Sequence, residues 1–332
     1  MGTGRRNDKP IVVLTRRWPE SVEFALAQRY ALVRNENDDA FSADQLVAAL
    51  TEADVVCPTV TDALTGEVFA AASRVGIRAK LLANFGVGFN HIDLASADAN
   101  GLAITNTPGV LTAATAEIAM TLLLMCARRA GAGERLVRSG DWRGWYPTHM
   151  LSTQVTGKTL GIVGMGRIGT ALARQAHHGF GMRVVYSGRS PVDESTAVEL
   201  EAEHLPLDQL LGVADFVSLH CPATPDTRNL INAQTLALMR KDAMLINTAR
   251  GDVVAEDDLI RALQDGVIAG AGLDVYAQEP LVPTELLALE QVVLLPHMGS
   301  GTQETREAMG LCALENIEAH FAKRVLPNAV VQ

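Results

Sequence analysis

Three residues in the second half of the chain are of types that do acid–base and anion chemistry. Arg250, Glu279 and His297 each follow a short apolar run that predicts a strand. An imidazolium can supply a proton, a carboxylate beside it favours the charged ring, and a guanidinium can bind a carboxylate in two parallel hydrogen bonds. Taken alone, each could be a surface ion-pair member, a loop acid or a histidine capped by backbone. Their joint placement beside the glycine motif described next is harder to explain in that way.

A glycine motif ends one of the predicted strands, in residues 160–169 (Leu-Gly-Ile-Val-Gly-Met-Gly-Arg-Ile-Gly). The pattern G-x-G-x-x-G requires a tight turn at Gly164, close backbone approach to a pyrophosphate at Gly166, and contact between helix and strand at Gly169. A strand before the motif and a helix predicted from Arg167 through Ala176 supply the context that the pattern needs. The motif predicts that a dinucleotide binds here, and an ordinary glycine-rich turn is the alternative.

The residues after the next predicted strand bear on the ribose of that dinucleotide. An NAD-preferring site carries an acid about 20 residues after the motif, where it accepts from the ribose hydroxyls. The residues found there instead are Ser187, Gly188, Arg189 and Ser190. A guanidinium and two hydroxyls suit a 2′-phosphate, so we predict that NADP(H) is preferred and that NAD(H) is possible. The alternative is that Arg189 is a solvated cation and that Asp193 or Glu194 takes the ribose.

Short β-branched runs alternate along the chain with segments of helical period. The predicted strands are Ile11–Leu14, Val55–Cys57, Lys80–Ala83, Leu160–Val163, Arg183–Tyr186, Phe216–Leu219, Ala243–Ile246 and Val292–Leu295. That alternation is typical of parallel sheets with crossover helices, and so many strands exceed a usual single sheet. The sequence therefore predicts an α/β chain with two Rossmann-like lobes.

Two predicted breaks divide the chain. The first lies at Thr105–Gly109, where a strand ends and Pro108 disfavours a helical conformation for the residue before it. The second lies near Leu295–His297, and a helix predicted over residues 302–322 packs back on the first lobe. The expected domains are a discontinuous substrate domain of residues 1–106 and 297–332 and a dinucleotide-binding domain of residues 107–296. An active-site cleft is expected between the two lobes.

Composition argues against several function classes. With 28 Lys+Arg against 38 Asp+Glu, the net charge is −10, and no tract is dense in Lys or Arg, so nucleic acid is disfavoured as a partner. The most apolar long stretch, residues 110–127, is interrupted by Thr and Glu and predicts a buried or interface helix rather than a membrane span. No apolar segment of signal-peptide length precedes the first strand, and the four cysteines include no C-x-x-C pair. We expect a cytoplasmic protein with no membrane anchor and no metal site.

Five segments together point to one family. They are Asn106–Thr112, the glycine motif, Asn247–Val253, Gly272–Pro280 and Pro296–Ser300. In this order they resemble the D-isomer-specific 2-hydroxyacid dehydrogenases over nearly the whole chain, and most of all the glyoxylate/hydroxypyruvate reductases (D-glycerate dehydrogenases). The resemblance implies NADPH-dependent reduction of glyoxylate or hydroxypyruvate to glycolate or D-glycerate. Reduction of another 2-oxo acid, or a dinucleotide-sensing protein like the corepressors built on the same scaffold, are the alternatives.

The resemblance also implies roles for the residues of catalytic type. His297 would donate a proton to the carbonyl oxygen of the substrate, and Glu279 would hold that imidazole in its charged form. Arg250 would bind the substrate carboxylate and polarise the carbonyl. Backbone N–H groups of the loop around Val87 and Gly88 resemble the family's carboxylate cradle, and a plain turn is the alternative.

Further cofactor contacts are implied by the resemblance alone. The residues concerned are Thr112, Gly164, Gly166, Arg167, Ile168, Gly169, Cys221, Pro222, Thr227, Thr248, Ala249, Asp274 and Gly299. Asp274 matches the family's contact to the nicotinamide amide, although it could equally be structural. His220 has no task in this scheme and is expected to be a core histidine.

Three aromatic residues lie close together in residues 140–147, in a chain with only 5% aromatic residues. This segment follows the apolar helix that forms the dimer interface in the family it resembles. We therefore expect a homodimer, with Trp142 or Trp145 near the substrate entrance. A simple interface plug is the alternative.

Overall fold

The computed structural model describes residues 9–331. Residues 1–8 lie outside the described range. They make up most of the polar N-terminal segment that leads us to expect no signal peptide. The chain divides into two compact units. Unit 1 comprises the chain up to Leu111 together with the chain from Gly301 onward, and unit 2 is Thr112–Ser300.

The described chain alternates strands and helices from its first element to its last. The strands are β1 (Ile11–Leu14), β2 (Ala31–Val33), β3 (Val55–Cys57), β4 (Leu81–Ala83), β5 (Ala103–Thr105), β6 (Thr159–Val163), β7 (Arg183–Ser187), β8 (Glu203–His204), β9 (Phe216–Leu219), β10 (Met244–Asn247), β11 (Gly270–Leu273), β12 (Val292–Leu294) and β13 (Ala329–Val331). The helices are α1 (Glu20–Arg29), α2 (Ala43–Glu52), α3 (Gly66–Val75), α4 (Leu94–Ala99), α5 (Thr112–Arg128), α6 (Ala130–Arg138), α7 (Arg167–Phe180), α8 (Glu194–Glu199), α9 (Leu207–Val213), α10 (Ala233–Leu236), α11 (Glu256–Gln264), α12 (Thr284–Leu287) and α13 (Gln303–Phe321).

The unit boundaries fall after Leu111 and Ser300, rather than after residues 106 and 296 as the sequence predicts. Thr107 donates its N–H to a carbonyl oxygen of the loop after β4, so it belongs to unit 1. At the other boundary, Asp274 accepts the N–H of Gly299, which ties the residues after β12 to unit 2. The predicted proton donor, His297, is therefore part of unit 2.

Unit 1 is built on a six-stranded sheet of order β13-β5-β4-β3-β1-β2. Five of its strands are parallel, and β13 pairs antiparallel with β5. The predicted α/β architecture with two parallel-strand sheets is confirmed, and β13 is an antiparallel addition at the edge of this one. β13 follows α13 at the end of the chain and pairs at the free edge of β5, where an antiparallel partner needs no crossover helix.

Unit 2 is built on a seven-stranded parallel sheet of order β12-β11-β10-β9-β6-β7-β8. Every residue of β9 and of β10 is buried, as expected of central strands covered by helices on both faces. Strand β6 lies between β7 and β9, so the direction of chain progression across the sheet reverses there. Ligands of open α/β sheets bind outside the carboxyl ends of the strands at such a reversal.

The long apolar helix α5 packs on this sheet and on α7. Leu122 and Leu123 are fully buried, and each stabilises the fold by about 1.5–3 kcal/mol. Strand β11 passes so close to α5 that a Cβ at Gly272 would lie 2.9 Å from the Sγ of Cys126. Within residues 9–331, no helix combines the length and the apolar character that crossing a membrane requires.

Candidate active site

The three residues of catalytic type follow three neighbouring strands of unit 2. Arg250 follows β10, Glu279 follows β11, and His297 follows β12. Because these strands are parallel and adjacent, their carboxyl ends lie along one edge of the sheet. The fold thus brings together three residues that are up to 47 positions apart in the chain.

His297 and Glu279 form a hydrogen-bonded pair. The distance from His297 Nδ1 to Glu279 Oε2 is 2.6 Å, and both side chains are about 30% exposed. The other carboxylate oxygen, Oε1, accepts the backbone N–H of Tyr276 at 3.1 Å. Burial alone would raise the pKa of the Glu279 carboxyl, but the hydrogen bond and charge of His297, with the N–H of Tyr276, lower it below its ordinary value.

Arg250 is half-buried and its guanidinium carries unused donors. Its Nη1 donates to the backbone oxygen of Ala249 at 2.6 Å, and no carboxylate of the described chain lies within ion-pair distance. Burial lowers the pKa of this guanidinium, and the nearby charge of Glu279 opposes that effect. Partial burial of a cation without an anionic partner costs free energy of desolvation, so the guanidinium is suited to bind an incoming anion.

Asn247, the last residue of β10, supports the turn that carries Arg250, a contact that sequence reasoning missed. Its Nδ2 donates to the carbonyl oxygen of Arg250 at 2.9 Å, and its Oδ1 accepts the N–H of Ala249 at 3.0 Å. The side chain therefore closes the turn that points Arg250 away from the strand. An asparagine immediately before a turn is a signal that could have identified it.

The backbone at His297 is left-handed, with φ of 53°. This conformation is uncommon for a residue other than glycine and needs support from its surroundings. The carboxylate of Asp274 supplies it by accepting the N–H groups of Met298 and Gly299, each at 2.8 Å. Burial raises the pKa of the Asp274 carboxyl, and those two N–H groups and the charge of His297 act in the opposite direction.

The glycine motif folds as the turn between β6 and α7. Gly164 has φ of 92°, and a Cβ there would lie 2.7 Å from the backbone nitrogen of Cys221. A Cβ at Gly169 would lie 2.7 Å from the carbonyl oxygen of Gly164, whereas one at Gly166 would meet no atom within 4 Å. Helix α7 begins at Arg167, which is exposed, and no side chain caps the N–H groups of its first turn. This bare cradle fits the pyrophosphate of a dinucleotide.

The predicted ribose-phosphate residues lie at the carboxyl end of β7. Ser187 is half-buried, Arg189 and Ser190 are exposed, and Arg189 has no ion-pair partner among residues 9–331. Asp193 instead caps helix α8: hydrogen bonds from Ser195 and Thr196 lower the pKa of its carboxyl to about 2.

The remaining predicted cofactor residues of unit 2 follow β9, β10 or β12, or lie on helices α5 and α7. Thr227 donates from Oγ1 to the carbonyl oxygen of Pro222 at 2.6 Å, which closes the loop that begins at Cys221. The Oγ1 of Thr248 is buried and has no hydrogen-bond partner in the described chain. The sequence predicts that His220 is a core histidine. Its Nε2 is hydrogen-bonded to the hydroxyl of Ser218 at 2.9 Å, and burial lowers the pKa of the imidazole to about 4. The others are Thr112 at the start of α5, Ile168 in α7, Ala249 in the turn after β10, and Gly299 after His297.

Four further residues are predicted to bind the substrate, two of them in unit 1 and two in unit 2. Val87 and Gly88 are in unit 1, where Asn106 and Asn84 donate to their respective carbonyl oxygens at 2.9 and 3.0 Å. These two amide side chains orient the peptide groups of the loop. The tryptophans, Trp142 and Trp145, lie after α6 in unit 2 and are 52% and 81% exposed.

In the part of the chain that the structure describes, no group of three or more His, Cys, Asp or Glu side chains could hold a metal ion.

Known proteins share this architecture and much of this sequence. Residues 120–299 match the family model described as D-isomer specific 2-hydroxyacid dehydrogenase, NAD binding domain. A glyoxylate reductase of Thermococcus onnurineus is 42% identical over 326 residues, which cover 97% of this chain and 96% of that protein.

Two solved structures extend the comparison. The TT0316 protein of Thermus thermophilus is 41% identical, with a TM-score of 0.88, and the match covers 97% of this chain and 100% of that one. An NADPH-dependent glyoxylate/hydroxypyruvate reductase of Sinorhizobium meliloti, in complex with NADP and malonate, is 33% identical, with a TM-score of 0.85 and 97% of each chain covered.

The family model matches more than half of the chain, and these relatives match nearly all of it. Both findings agree with the dinucleotide-binding turn and the catalytic side chains described above. The chain belongs to the D-isomer specific 2-hydroxyacid dehydrogenase family and is an NAD(P)-dependent oxidoreductase.

Proposed function

We propose that this protein reduces glyoxylate and hydroxypyruvate to glycolate and D-glycerate with NADPH. The observation that carries the proposal is the 2.6 Å His297–Glu279 pair on the same sheet edge as Arg250, a half-buried cation with no carboxylate partner in the described chain. The edge thus combines a proton donor with a binding group for a carboxylate. The glyoxylate reductases among its relatives support this substrate class.

The proposed chemistry divides between the cofactor and the side chains. A reduced nicotinamide, when bound, supplies a hydride to the carbonyl carbon of the 2-oxo acid. Because Nδ1 of His297 is engaged by Glu279, Nε2 is the ring atom that donates a proton to the carbonyl oxygen. Glu279 keeps the imidazole charged before that transfer, and the added hydride and proton together convert the carbonyl group of the 2-oxo acid into a hydroxyl group.

Arg250 is proposed to hold the carboxylate of the substrate. The planar guanidinium can grip that group with two donors and draw electron density from the adjacent carbonyl, which makes the carbon more electrophilic. The backbone N–H groups of Val87 and Gly88 are proposed as further donors to the same carboxylate.

The proposed preference for NADPH rests on the end of β7. Arg189 can pair with a 2′-phosphate, and the hydroxyls of Ser187 and Ser190 can donate to it. Of the two acids that could instead have taken the ribose hydroxyls, Asp193 and Glu194, the first is engaged as the cap of α8. The NADP-bound relative of Sinorhizobium meliloti supports this assignment.

We further propose a homodimer that acts in the cytoplasm. Helix α6 buries none of its residues, and Val137, Trp142 and Trp145 are exposed along it and the following segment. A second copy of the chain is the occupant that we propose for these apolar groups, with a tryptophan close to a substrate site. The four free cysteines fit a reducing compartment.

The test of the proposed activity is coenzyme consumption, followed at about 340 nm, the usual absorbance of a reduced nicotinamide. NADPH and NADH are each combined with glyoxylate, hydroxypyruvate, pyruvate and phenylpyruvate. We expect the highest kcat/KM with NADPH and either glyoxylate or hydroxypyruvate, and a lower value with pyruvate or phenylpyruvate. Turnover only of a bulkier acid would refute the substrate, and faster turnover with NADH would refute the coenzyme preference.

A further inference from the structure

Tyr276 contacts Glu279 directly and the backbone two residues before His297. It lies on the segment after β11, between Asp274 and Glu279, and its ring is buried. Its backbone N–H donates to Glu279 Oε1 at 3.1 Å. Its hydroxyl donates to the carbonyl oxygen of Leu295 at 2.8 Å, across 19 positions of sequence.

Leu295 lies two residues before His297, and both of its backbone polar groups are bonded to the segment from β11 to Tyr276. The N–H of Leu295 donates to the carbonyl oxygen of Leu273 at 2.8 Å. The next residue is Pro296, which has no N–H to donate. The carbonyl oxygen of Leu295 accepts the hydroxyl of Tyr276, so this phenol holds the chain just before the proline.

The other side of His297 is held by the same segment. Asp274 accepts the N–H groups of Met298 and Gly299, so the left-handed residue His297 has an anchor on each side. Both anchors belong to the stretch from Asp274 to Glu279, which also carries the carboxylate of the pair. One short stretch of chain thus determines where both members of the pair lie.

We propose that the hydroxyl of Tyr276 is a positioning group that sets the alignment of His297 with Glu279 and thereby the efficiency of proton donation. This inference rests on the proposed role of His297 as proton donor. Tyr276 is a positioning residue, because its hydroxyl acts through the backbone of Leu295 and does not itself reach reacting atoms in this arrangement.

The hydroxyl of Tyr276 adds a hydrogen bond to the backbone of Leu295 that the ring alone could not make. A phenylalanine would fill the same buried volume, whereas a buried hydroxyl is unfavourable unless it has a partner. Burial raises the pKa of Tyr276 to about 12, so the phenol remains a hydrogen-bond donor across the working range of pH.

The variant Tyr276→Phe tests the proposal because it removes only the hydroxyl. Loss of the anchor before His297 is expected to lower kcat about tenfold, since small misplacements of a catalytic group are costly. KM for the oxo acid should change less than twofold, because Arg250 is untouched. Besides the carboxylate of Glu279 within the pair, the charged groups that act on it are Asp274 and Arg250. Tyr276→Phe changes none of these three. A looser contact with Glu279 should therefore move the alkaline fall of kcat/KM to lower pH.

A matched control is Tyr186→Phe. Tyr186 is equally buried in unit 2, and its hydroxyl accepts the backbone N–H of Val192 at 3.1 Å, so this variant also loses one hydrogen bond to the backbone. At saturating NADPH it should keep the wild-type kcat and pH profile. Thermal unfolding of both variants shows whether either loses its fold.

A second variant acts on the other anchor. In Asp274→Asn, one carboxylate oxygen becomes an NH2 group that faces an N–H, so one of the two bonds to Met298 and Gly299 is lost. We expect the same displacement of the alkaline limb as in Tyr276→Phe. Wild-type kcat and pH profile in a folded Tyr276→Phe protein would overturn the proposal.

His297→Asn separates this inference from the proposed function. If that variant reduces the oxo acid at the wild-type rate, the proposed function itself fails. If it is inactive while Tyr276→Phe behaves as wild type, only the positioning role fails. The ring signals of His297 in NMR spectra, assigned by their absence from His297→Asn, give a readout without turnover: their pH titration should differ between wild type and Tyr276→Phe.

Discussion

The first two glycines of the motif, Gly164 and Gly166, should respond differently to an added methyl group. One substitution should impair coenzyme binding, and the other should destabilise the fold. At Gly166, φ is −83°, which alanine adopts freely, and a Cβ would meet nothing within 4 Å. Gly166→Ala should therefore change the free energy of unfolding by less than about 0.5 kcal/mol. The same methyl group would occupy the space into which a pyrophosphate must come.

Coenzyme binding by Gly166→Ala should be strongly impaired. Displacing the pyrophosphate from the first turn of α7 would lose one or two hydrogen bonds to a charged group, each worth about 1.5–3 kcal/mol. The dissociation constant for NADPH should therefore rise about 10²-fold, since 1.4 kcal/mol corresponds to a factor of ten.

Gly164→Ala is the structural counterpart. Here φ is 92°, and the Cβ would lie 2.7 Å from the nitrogen of Cys221. The strained backbone alone costs about 1–3 kcal/mol, and the collision adds to it, so this variant should be destabilised even without coenzyme.

Calorimetric titration with NADPH and urea unfolding without coenzyme measure the two effects separately. Gly166→Ala should bind weakly and unfold as wild type does, and Gly164→Ala should unfold at lower urea. Wild-type affinity for NADPH in a folded Gly166→Ala protein would refute the assignment of this turn as the pyrophosphate site.

Three further changes have defined outcomes. Glu279→Gln should lower kcat about 10²-fold and move the alkaline fall of kcat/KM to lower pH, since the lowered pKa of Glu279 keeps its carboxylate charged beside the imidazolium in wild type; an unchanged pH profile would contradict the pairing. Arg189→Ala should lower kcat/KM for NADPH about 10–100-fold and leave that for NADH within about twofold, with the exposed Arg74→Ala as a charge-matched control; equal losses with both coenzymes would argue against a 2′-phosphate contact. Desolvation lowers the pKa of the half-buried His220 from 6.5 to about 4, so the unfolded chain binds its proton first, and wild type should lose up to about 3 kcal/mol of stability as pH falls from 6.5 to 4. Urea unfolding of His220→Gln should lack that part of the decline, and parallel curves for the two proteins would count against it.

The elements that sequence reasoning located best are those whose spacing is constrained by chemistry or by burial. All eight predicted strands are present, with bounds that differ by one residue at most at either end. The glycine motif defines the β6–α7 turn because each of its three glycines has its own steric or binding reason. The helix predicted over residues 302–322 is α13, and Thr302 is its N-cap.

Strands β2, β5, β8, β11 and β13 are not among the predicted β-branched runs, although the sequence indicates a strand before Glu279 and another that ends at Thr105. Strand β11 reads Gly-Ala-Gly-Leu and has no β-branched residue, because α5 leaves no room for a side chain at Gly272. Strand β8 has two residues, and β13 pairs antiparallel at an edge. These features follow from packing between distant segments.

The positioning contacts of the site were also beyond sequence reasoning, although the titratable residues were not. Arg250, Glu279 and His297 were predicted from their types and places after strands. The bond from Tyr276 to Leu295 joins residues that are adjacent only because β11 and β12 pair in one particular register. A left-handed backbone at His297 could not be expected for a residue that is not glycine.

Hydride transfer with proton donation to a 2-oxo acid is tested most directly by isotope transfer. NADPH carrying deuterium at the transferable position of the nicotinamide is incubated with the enzyme and hydroxypyruvate, and the product is examined by mass spectrometry and chiral chromatography. The account predicts D-glycerate with one deuterium at C2, formed by wild type and lost in His297→Asn. Product without deuterium, or L-glycerate, would contradict it.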